Sequence, residues 1–401
     1  MLVSCNPKPI NPLENILSQK DTIISNVIKR ADEYKVQIIY TQTDRDSTNA
    51  PIFTDFDYLL DSSAYFYPAS MVKMPIAFLA LEKLNELKKQ GFPIDKFTAL
   101  EIDSVREFQS SVKKDSTSKT GYANIANYIK KVFLVSDNDA YNRLFEFLGR
   151  DYINAKLKEK GITPARITHR LSSFNSNNKY TNPITFFADS VLYRQEEIIS
   201  EKKYLPLIVN KTLKGKGYIN KNDELVNEKM DFSQKNYFPL KSLHKTLQRI
   251  IFPNYFPDNK QFNLSDSDYE FLYKSMGMLP VESDFPKYDN KKYYDSYVKF
   301  FMFGNSKNNI PKNIRVLNKV GRAYGYLIDC AYIVDFDNKV EFFLSAVIHV
   351  NENRVFNDDK YEYEQIGFPF LAELGRKIYE HELQREKKII PDLSKLERLY
   401  E

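Results

Sequence analysis

The chain of 401 residues has no tryptophan and only two cysteines, Cys5 and Cys330. Two cysteines exclude the disulfide framework of a small secreted scaffold. No stretch reaches the roughly 18 apolar residues of a membrane-spanning helix. The net charge of +5 is spread over the whole length without a dense basic block, so we expect no nucleic-acid partner. Hydrophobic residues make up 42% of the chain and charged residues 28%, as in an ordinary globular protein.

Histidine is also scarce. The four histidines lie far apart in the sequence and include no H-E-x-x-H spacing, so we expect no metal ion and no cofactor. The absence of tryptophan accompanies an abundance of Tyr, Phe, Lys and Asn. We interpret this composition as a codon bias toward A and T and not as a binding signature.

The first residues, Met-Leu-Val-Ser-Cys, resemble the lipobox at which bacterial lipoprotein precursors are cut and lipidated at cysteine. A precursor would carry a basic and then an apolar segment upstream, so either the start is trimmed or the match is chance. We expect residues 1–13 to be a tether or a trimmed lipoprotein N-terminus. This interpretation predicts a monomer in the bacterial cell envelope, in the periplasm, with a lipid anchor at Cys5.

Hydrophobic periodicity predicts a strand after residue 35, a long helix that starts near residue 70 and helices through the middle of the chain. Residues 184–205 also read as helical. Near the end, residues 315–353 predict three strands, and a helix follows them. The predicted class is therefore α+β, with an antiparallel sheet built from N- and C-terminal strands around a mostly helical middle region.

Ser70 and Lys73 stand at the front of an otherwise apolar helix. Ser-x-x-Lys occurs eight times in the chain, but only Ser70 begins a long apolar helix. Free backbone N–H groups at a helix start favour a developing anion, and a lysine one turn later lies on the same face. A serine nucleophile needs such a base, although a helix cap with a solvated lysine would give the same pattern.

Ser136-Asp137-Asn138 is the only tripeptide of its kind in the chain and opens a predicted helix. Its serine could relay a proton and its asparagine could hold a carbonyl, whereas taken alone it reads as a helix cap. Lys319-Val320-Gly321 begins the first C-terminal strand, where a lysine adds positive potential and a glycine permits close approach. Residues 119–121, Lys-Thr-Gly, are a decoy because no strand follows them.

Together and in this order, the three motifs resemble the active site of serine β-lactamases and penicillin-binding proteins, most nearly the class A β-lactamases. The resemblance covers roughly residues 15–190 and 264–383. It implies a β-lactamase/transpeptidase-like fold in a catalytic domain over residues 14–383. We expect insertions at about 206–263 and 283–309, and a C-terminal tail over 384–401.

The resemblance also implies roles. Ser70 attacks an acyl carbonyl, Lys73 is its base or relay, and Ser136 passes a proton to the leaving nitrogen. Substrate binding falls to the following residues: Asn138, Lys319, Gly321 and Arg322. The oxyanion hole would be the backbone N–H groups of Ser70 and Arg322.

Two departures from the class A pattern stand out. The loop after the Ser-Asp-Asn helix has no Asp or Glu between Glu159 and Asp189, so the carboxylate that activates the deacylating water is missing. His169 is the only titratable base there and reads more readily as a packed or surface histidine. Val320 replaces the usual Thr or Ser, and Arg322 could supply the lost contact with a substrate carboxylate.

Three functional hypotheses follow. The first is a serine acyl hydrolase of the class A β-lactamase-like type, acting on a β-lactam or a related amide or ester with altered deacylation. The second is a penicillin-binding enzyme that processes peptidoglycan. The third is a non-catalytic binding protein that keeps the fold.

Overall fold

A computed structural model describes residues 11–173, 176 and 178–401. The helices, in chain order, are α1 Pro12–Leu17, α2 Thr22–Ile28, α3 Lys73–Lys89, α4 Ile125–Leu134, α5 Asn138–Leu148, α6 Arg150–Glu159, α7 Leu240–Ile251, α8 Asp266–Gly277, α9 Phe368–Gln384 and α10 Ser394–Glu397. The strands are β1 Gln37–Arg45, β2 Pro51–Tyr58, β3 Ala99–Ile102, β4 Ile184–Phe187, β5 Val191–Gln195, β6 Leu213–Lys214, β7 Gly217–Ile219, β8 Leu225–Val226, β9 Met230–Asp231, β10 Ile314–Ala323, β11 Tyr326–Asp335, β12 Val340–His349 and β13 Val355–Phe356.

The central sheet joins the two ends of the chain. Its five strands run in the order β10-β11-β12-β1-β2, and every neighbouring pair is antiparallel. The three C-terminal strands thus pair with the two N-terminal ones through β12 and β1. The α+β class and the sheet built from both chain ends are confirmed. Strand β10 lies at one edge of this sheet, and its outer side is open to other elements.

A hydrophobic core lies on each face of the sheet. One core contains residues of α3, α4, α5, α7 and α8 together with alternate residues of β11, such as Ile328 and Cys330. The other contains residues of α1, α2 and α9 with the intervening residues of β11, such as Leu327 and Ala331. Strand β11 is buried along its whole length, as expected for a strand that is covered on both faces.

The middle of the chain contains more strand than the periodicity predicts. Residues 184–205 do not form a helix, because β4 and β5 occupy 184–187 and 191–195 and pair with β3 in a small sheet. Alternating β-branched and aromatic residues favour strands there, and the Ala188 N–H donates to the Ser190 carbonyl across the turn.

The described ends of the chain belong to the packed structure. Leu13, inside the predicted tether, is buried in α1, and Leu393, inside the predicted tail, is buried as well. Helix α7 lies within the predicted insertion at 206–263 but packs against β1, β11 and β12. Cys5 and the rest of residues 1–10 lie outside the described residues. Among the helices that the structure describes, none combines the length and apolar character needed to cross a bilayer.

Candidate active site

Ser70 lies in a tight turn that leads into α3. A single 3-10 turn, Ala69–Val72, precedes the helix, and Ala69 has a positive φ of 48°. Such a backbone angle is uncommon outside glycine and marks a constrained position. Ser70 is half-buried, and its hydroxyl makes no hydrogen bond to any residue that the structure describes. The turn therefore presents a free hydroxyl at the start of a long buried helix.

Strand β10 packs directly against this turn at Gly321. A Cβ atom at residue 321 would lie 2.9 Å from the Pro68 carbonyl oxygen and 3.3 Å from the Ala69 Cβ. Only glycine fits such an approach without displacement. The sequence predicted that this glycine makes room for a substrate, whereas the structure shows that it makes room for the protein's own Ser70 turn.

Two lysines converge on the hydroxyl of Ser136. The Lys319 Nζ donates to the Ser136 Oγ at 2.8 Å, and the Lys73 Nζ lies 3.3 Å from the same oxygen. Lys73 also donates to the Ser136 carbonyl and, at 2.6 Å, to the Asn138 Oδ1. The fold thus brings one residue of each motif to a common point, since Lys73, Ser136 and Lys319 come from α3, the start of α5 and β10.

Burial changes the pKa of both lysines. Lys73 and Lys319 are 0% and 1% exposed. Loss of hydration lowers the pKa of Lys73 to about 7, because a buried ammonium group is disfavoured, although Asp137 opposes this change. Burial, and then the charge of Lys73, hold the pKa of Lys319 well below its usual range. A substantial fraction of Lys73 is therefore a free amine near neutral pH and can accept a proton.

The Ser-Asp-Asn turn is held from both sides. Asp137 caps α5 by accepting a hydrogen bond from the Ala140 N–H at 2.9 Å. The Asn138 side chain bridges Lys73 and the long loop, because its Nδ2 donates to the Ser172 Oγ at 2.9 Å. Sequence reasoning missed Ser172, since a serine in a polar loop carries no pattern that identifies it. Ser136 has a positive φ of 56°, a backbone conformation that is uncommon outside glycine.

His169 is part of the structure and not a free base. Its Nδ1 lies 2.7 Å from the Arg170 carbonyl, and its Nε2 accepts from the Asn236 N–H at 3.1 Å. Burial lowers the pKa of His169 to about 4, so the ring is neutral. With both nitrogens engaged by the backbone, this ring cannot activate water in this conformation.

Asn236 ties this loop to the segment that precedes Ser70. Its Oδ1 accepts from the N–H groups of Thr168 and His169, and its carbonyl accepts from the Tyr65 hydroxyl at 2.9 Å. Asn236 is fully buried and lies in the stretch predicted as an insertion. A residue from that stretch therefore links the loop near residue 168 to the segment before Ser70, and the sequence offers no signal for this role.

Val320 and Arg322 lie on the face of β10 opposite Lys319 and Gly321. Val320 is buried in the core beside α9, and the Arg322 guanidinium lies 5.8 Å from the Tyr363 ring centroid. Arg322 is exposed and forms no ion pair within the described part of the chain. The Val320 carbonyl accepts a hydrogen bond from the Lys319 Nζ, so this carbonyl points to the free edge of β10. In a β-strand the N–H of the residue two positions later points to the same side, so the Arg322 N–H also points to this edge.

Over residues 11–173, 176 and 178–401, no three His, Cys, Asp or Glu side chains are grouped so that they could hold a metal ion. The chemistry available at the site comes from two lysines, two serine hydroxyls, one amide and backbone N–H groups.

Comparison with protein families supports the same class. Residues 20–203 match the sequence model of the beta-lactamase enzyme family. This match covers Ser70, Lys73, Ser136 and Asn138 and ends before Lys319. It confirms the resemblance to the β-lactamases over this part of the chain. A comparison with curated protein sequences gave no match.

Solved structures show the same fold. A β-lactamase from Xanthomonas campestris pv. campestris superposes with a TM-score of 0.50 and 12% identity over 92% of this chain and 97% of that one. PBP-A gives a TM-score of 0.49 and 12% identity over 93% and 96% of the two chains. A β-lactamase from Sphaerobacter thermophilus gives 0.48 and 10% over 94% and 97%. The first of these comparisons establishes the β-lactamase-like fold.

Proposed function

We propose that this protein is a serine acyl hydrolase of the class A β-lactamase-like type, acylated at Ser70 by a β-lactam or a related amide or ester. The family match and the fold support a serine hydrolase of the β-lactamase and penicillin-binding protein type. The observation that carries the proposal is the convergence of Lys73 and Lys319 on Ser136 beside the Ser70 turn.

In the acylation step, the Ser70 Oγ attacks the acyl carbonyl carbon while its proton passes to Lys73. A charged Lys73 would donate to the three oxygens around it, namely the carbonyl and hydroxyl of Ser136 and the amide of Asn138. The neutral amine has one lone pair free for the serine proton. Backbone N–H groups of Ser70 and Arg322 would stabilise the oxyanion, which contributes on the order of 3–4 kcal/mol per donor.

Breakdown of the tetrahedral intermediate releases the amide nitrogen. Ser136 donates its proton to this nitrogen and regains one from Lys73, while Lys319 lies 2.8 Å from the Ser136 oxygen and lowers the cost of the transient negative charge. Asn138 would orient the substrate amide, and Lys319 would attract a substrate carboxylate. The Arg322 side chain lies on the opposite face of β10 beside Tyr363, so its proposed part in the site is the backbone N–H alone. These binding roles are part of the proposal.

Deacylation is proposed to be slow. The loop between Glu159 and Asp189 has no carboxylate, and His169 has both ring nitrogens bonded to the backbone. Losing one general base typically slows a step by about 10²–10⁴-fold. This observation favours a second candidate, a penicillin-binding protein that processes peptidoglycan, because such an enzyme works through a long-lived acyl-enzyme. The proposed setting is the bacterial cell envelope.

A chromogenic cephalosporin and a fluorophosphonate probe test the proposal together. We expect the fluorophosphonate to label the native protein, and Ser70→Ala to lose the label while it remains folded. A burst of one cephalosporin per protein followed by slow turnover would support the hydrolase with weak deacylation. A burst without turnover would favour the penicillin-binding candidate. A folded protein that is inert to both probes would contradict catalysis and leave the non-catalytic binding protein.

A further inference from the structure

A cavity lies beside the turn of the β10–β11 hairpin, where Tyr326 begins β11. It has a volume of about 480 Å³ and opens between the α2–β1 connection, β6 and the ends of β11 and β12. Small-molecule sites typically measure about 300–1,000 Å³. None of the proposed site residues Ser70, Lys73, Ser136, Asn138 and Lys319 lines this cavity.

The walls of the cavity carry an excess of positive charge. Lys35, Lys211, Lys214 and Arg354 line it, and none of the four forms an ion pair with a described residue. The two acidic residues of the lining, Glu33 and Glu352, are both paired with Arg30 at 2.8 and 3.0 Å. The lining thus contains five cationic side chains and two carboxylates, and both carboxylates lie on Arg30 and not on the four other cations.

Lys214 is the innermost of these cations. Its Nζ lies 5.8 Å from the ring centroids of both Tyr65 and Tyr326, a cation–π arrangement, and it has no hydrogen-bond acceptor among the described residues. Burial and the nearby charges of Lys35 and Lys211 lower the pKa of Lys214 to about 8. A half-buried ammonium group between like charges is a position that a bound anion would stabilise.

Two further lining residues have polar groups without partners. Tyr326 is 1% exposed and Asn351 is 6% exposed, and neither the Tyr326 hydroxyl nor either atom of the Asn351 amide has a hydrogen-bond partner in the described structure. The Tyr326 ring stacks on His349 with centroids 4.2 Å apart, which fixes its position. Buried polar groups in folded proteins are nearly always paired. These three atoms have almost no accessible surface, so a ligand in the cavity reaches them only if neighbouring side chains such as Lys214 shift.

We propose that this cavity binds a small molecule that carries at least two negative charges, as phosphate or carboxylate groups. Lys214, Lys211, Lys35 and Arg354 would neutralise these charges. The Tyr326 hydroxyl and the Asn351 amide, which are covered in this conformation, would donate to the anionic oxygens once Lys214 turns toward the ligand. Planar or apolar parts of the ligand would lie against Phe356 and Leu213, which also line the cavity. The proposal does not depend on the reaction at Ser70.

Isothermal titration of the full chain with inorganic pyrophosphate and, separately, with citrate tests the site at constant ionic strength. We expect saturable binding at one site per chain, with Kd below about 1 mM for at least one probe. Lys214→Met should weaken that binding at least about tenfold, because it removes a charged contact. Lys216→Met is the matched control, since Lys216 is exposed, carries the same charge and lies outside the cavity lining.

Tyr326→Phe separates a ligand contact from a structural role. It keeps the stacked ring and removes only the unpaired hydroxyl, so the melting temperature should be unchanged or higher while binding weakens at least about fivefold. Binding of pyrophosphate alone would identify a phosphate ligand, and binding of citrate alone a carboxylate ligand. The proposal is overturned if neither probe binds, or if Lys216→Met weakens binding as much as Lys214→Met. Ser70→Ala should bind the probes like the native chain.

Discussion

The Nζ of Lys319 lies 2.8 Å from the hydroxyl oxygen of Ser136, a residue 183 positions earlier in the chain. This hydrogen bond crosses from the edge strand β10 to the turn before α5. It places a buried cation on the hydroxyl that is proposed to protonate the leaving group. Because Lys73 approaches the same oxygen from α3, the two amino groups share one acceptor and disfavour each other's charge.

Replacing Lys73 tests its role as base. We expect Lys73→Arg to slow acylation by about 10²–10⁴-fold, because a guanidinium group stays protonated and cannot accept the Ser70 proton. The measurement is the rate of adduct formation with a penicillin, followed by intact mass. Lys83→Arg is a matched control, since Lys83 lies on the same helix but donates to Phe147 and Gln195. If Lys73→Arg and Lys83→Arg slow acylation equally, the effect would come from altered helix packing and not from the loss of a base.

The pH dependence of acylation follows from the lowered pKa of Lys73. Below this pKa of about 7 the amine is protonated and cannot act as a base, and above it the free amine accumulates. The acylation rate should therefore rise with pH through about 7 and fall roughly tenfold per unit well below it. A rate that stays flat between pH 5 and about 9 would contradict a titrating base.

Gly321→Ala tests the contact between β10 and the Ser70 turn. The new Cβ would lie 2.9 Å from the Pro68 carbonyl oxygen, so strand and turn must separate. Shifts of this size at a reacting centre can cost about 10²-fold in rate. We expect such a loss of acylation in a protein whose urea midpoint stays near that of the native chain. Gly91→Ala is a comparison, because nothing lies within 4 Å of its added Cβ, although its φ of +95° strains the substitution.

Asn236→Ala tests the hydrogen bonds between Asn236 and the loop that contains Thr168 and His169. The change leaves the buried N–H groups of Thr168 and His169 without their acceptor. Each unsatisfied group costs about 1–3 kcal/mol, so we expect the free energy of unfolding in urea to fall by about 2–6 kcal/mol for the two groups. The exposed Asn227→Ala should change it by less than about 0.5 kcal/mol. If Asn236→Ala lowers the free energy of unfolding as little as Asn227→Ala does, this structural role of Asn236 is contradicted.

The sequence was most informative where the proposed functional residues lie in short local motifs. Ser70 and Lys73 lie one helical turn apart, and Ser136 and Asn138 flank a helix start. Lys319 was predicted at the start of a strand, and the structure places it in the middle of β10. Order along the chain then sufficed to predict the class, and the family match confirms it. The sheet from both chain ends was also predictable, because strand periodicity at each end leaves few other pairings.

Contacts between distant segments carry no comparable signal. Asn236 acts through the backbone of the loop near residue 168, and Ser172 acts through Asn138, so neither belongs to a periodic pattern. The strands at 184–195 were misread because β4 pairs with β3, which lies more than eighty residues earlier, and β5 pairs only with β4. Short apolar runs of this length do not distinguish helix from strand, and tertiary pairing decides between them.

Domain boundaries remain predictions. Helix α7 within the 206–263 stretch covers the central sheet, and the His244 ring lies 2.8 Å from hydroxyls of Thr41 and Ser345 on two strands. The insertion is thus proposed to be restricted to the short strands β6 to β9 and their connections. A deletion that keeps α7 and removes those strands should fold, whereas one that removes α7 should not.

Time-resolved intact mass spectrometry with benzylpenicillin, followed by peptide mapping, tests the central claim most directly. The account predicts one penicilloyl adduct per chain, mapped to Ser70, that persists after free penicillin is removed because the loop lacks a carboxylate. No adduct on a folded protein, or an adduct on another residue that survives Ser70→Ala, would contradict it.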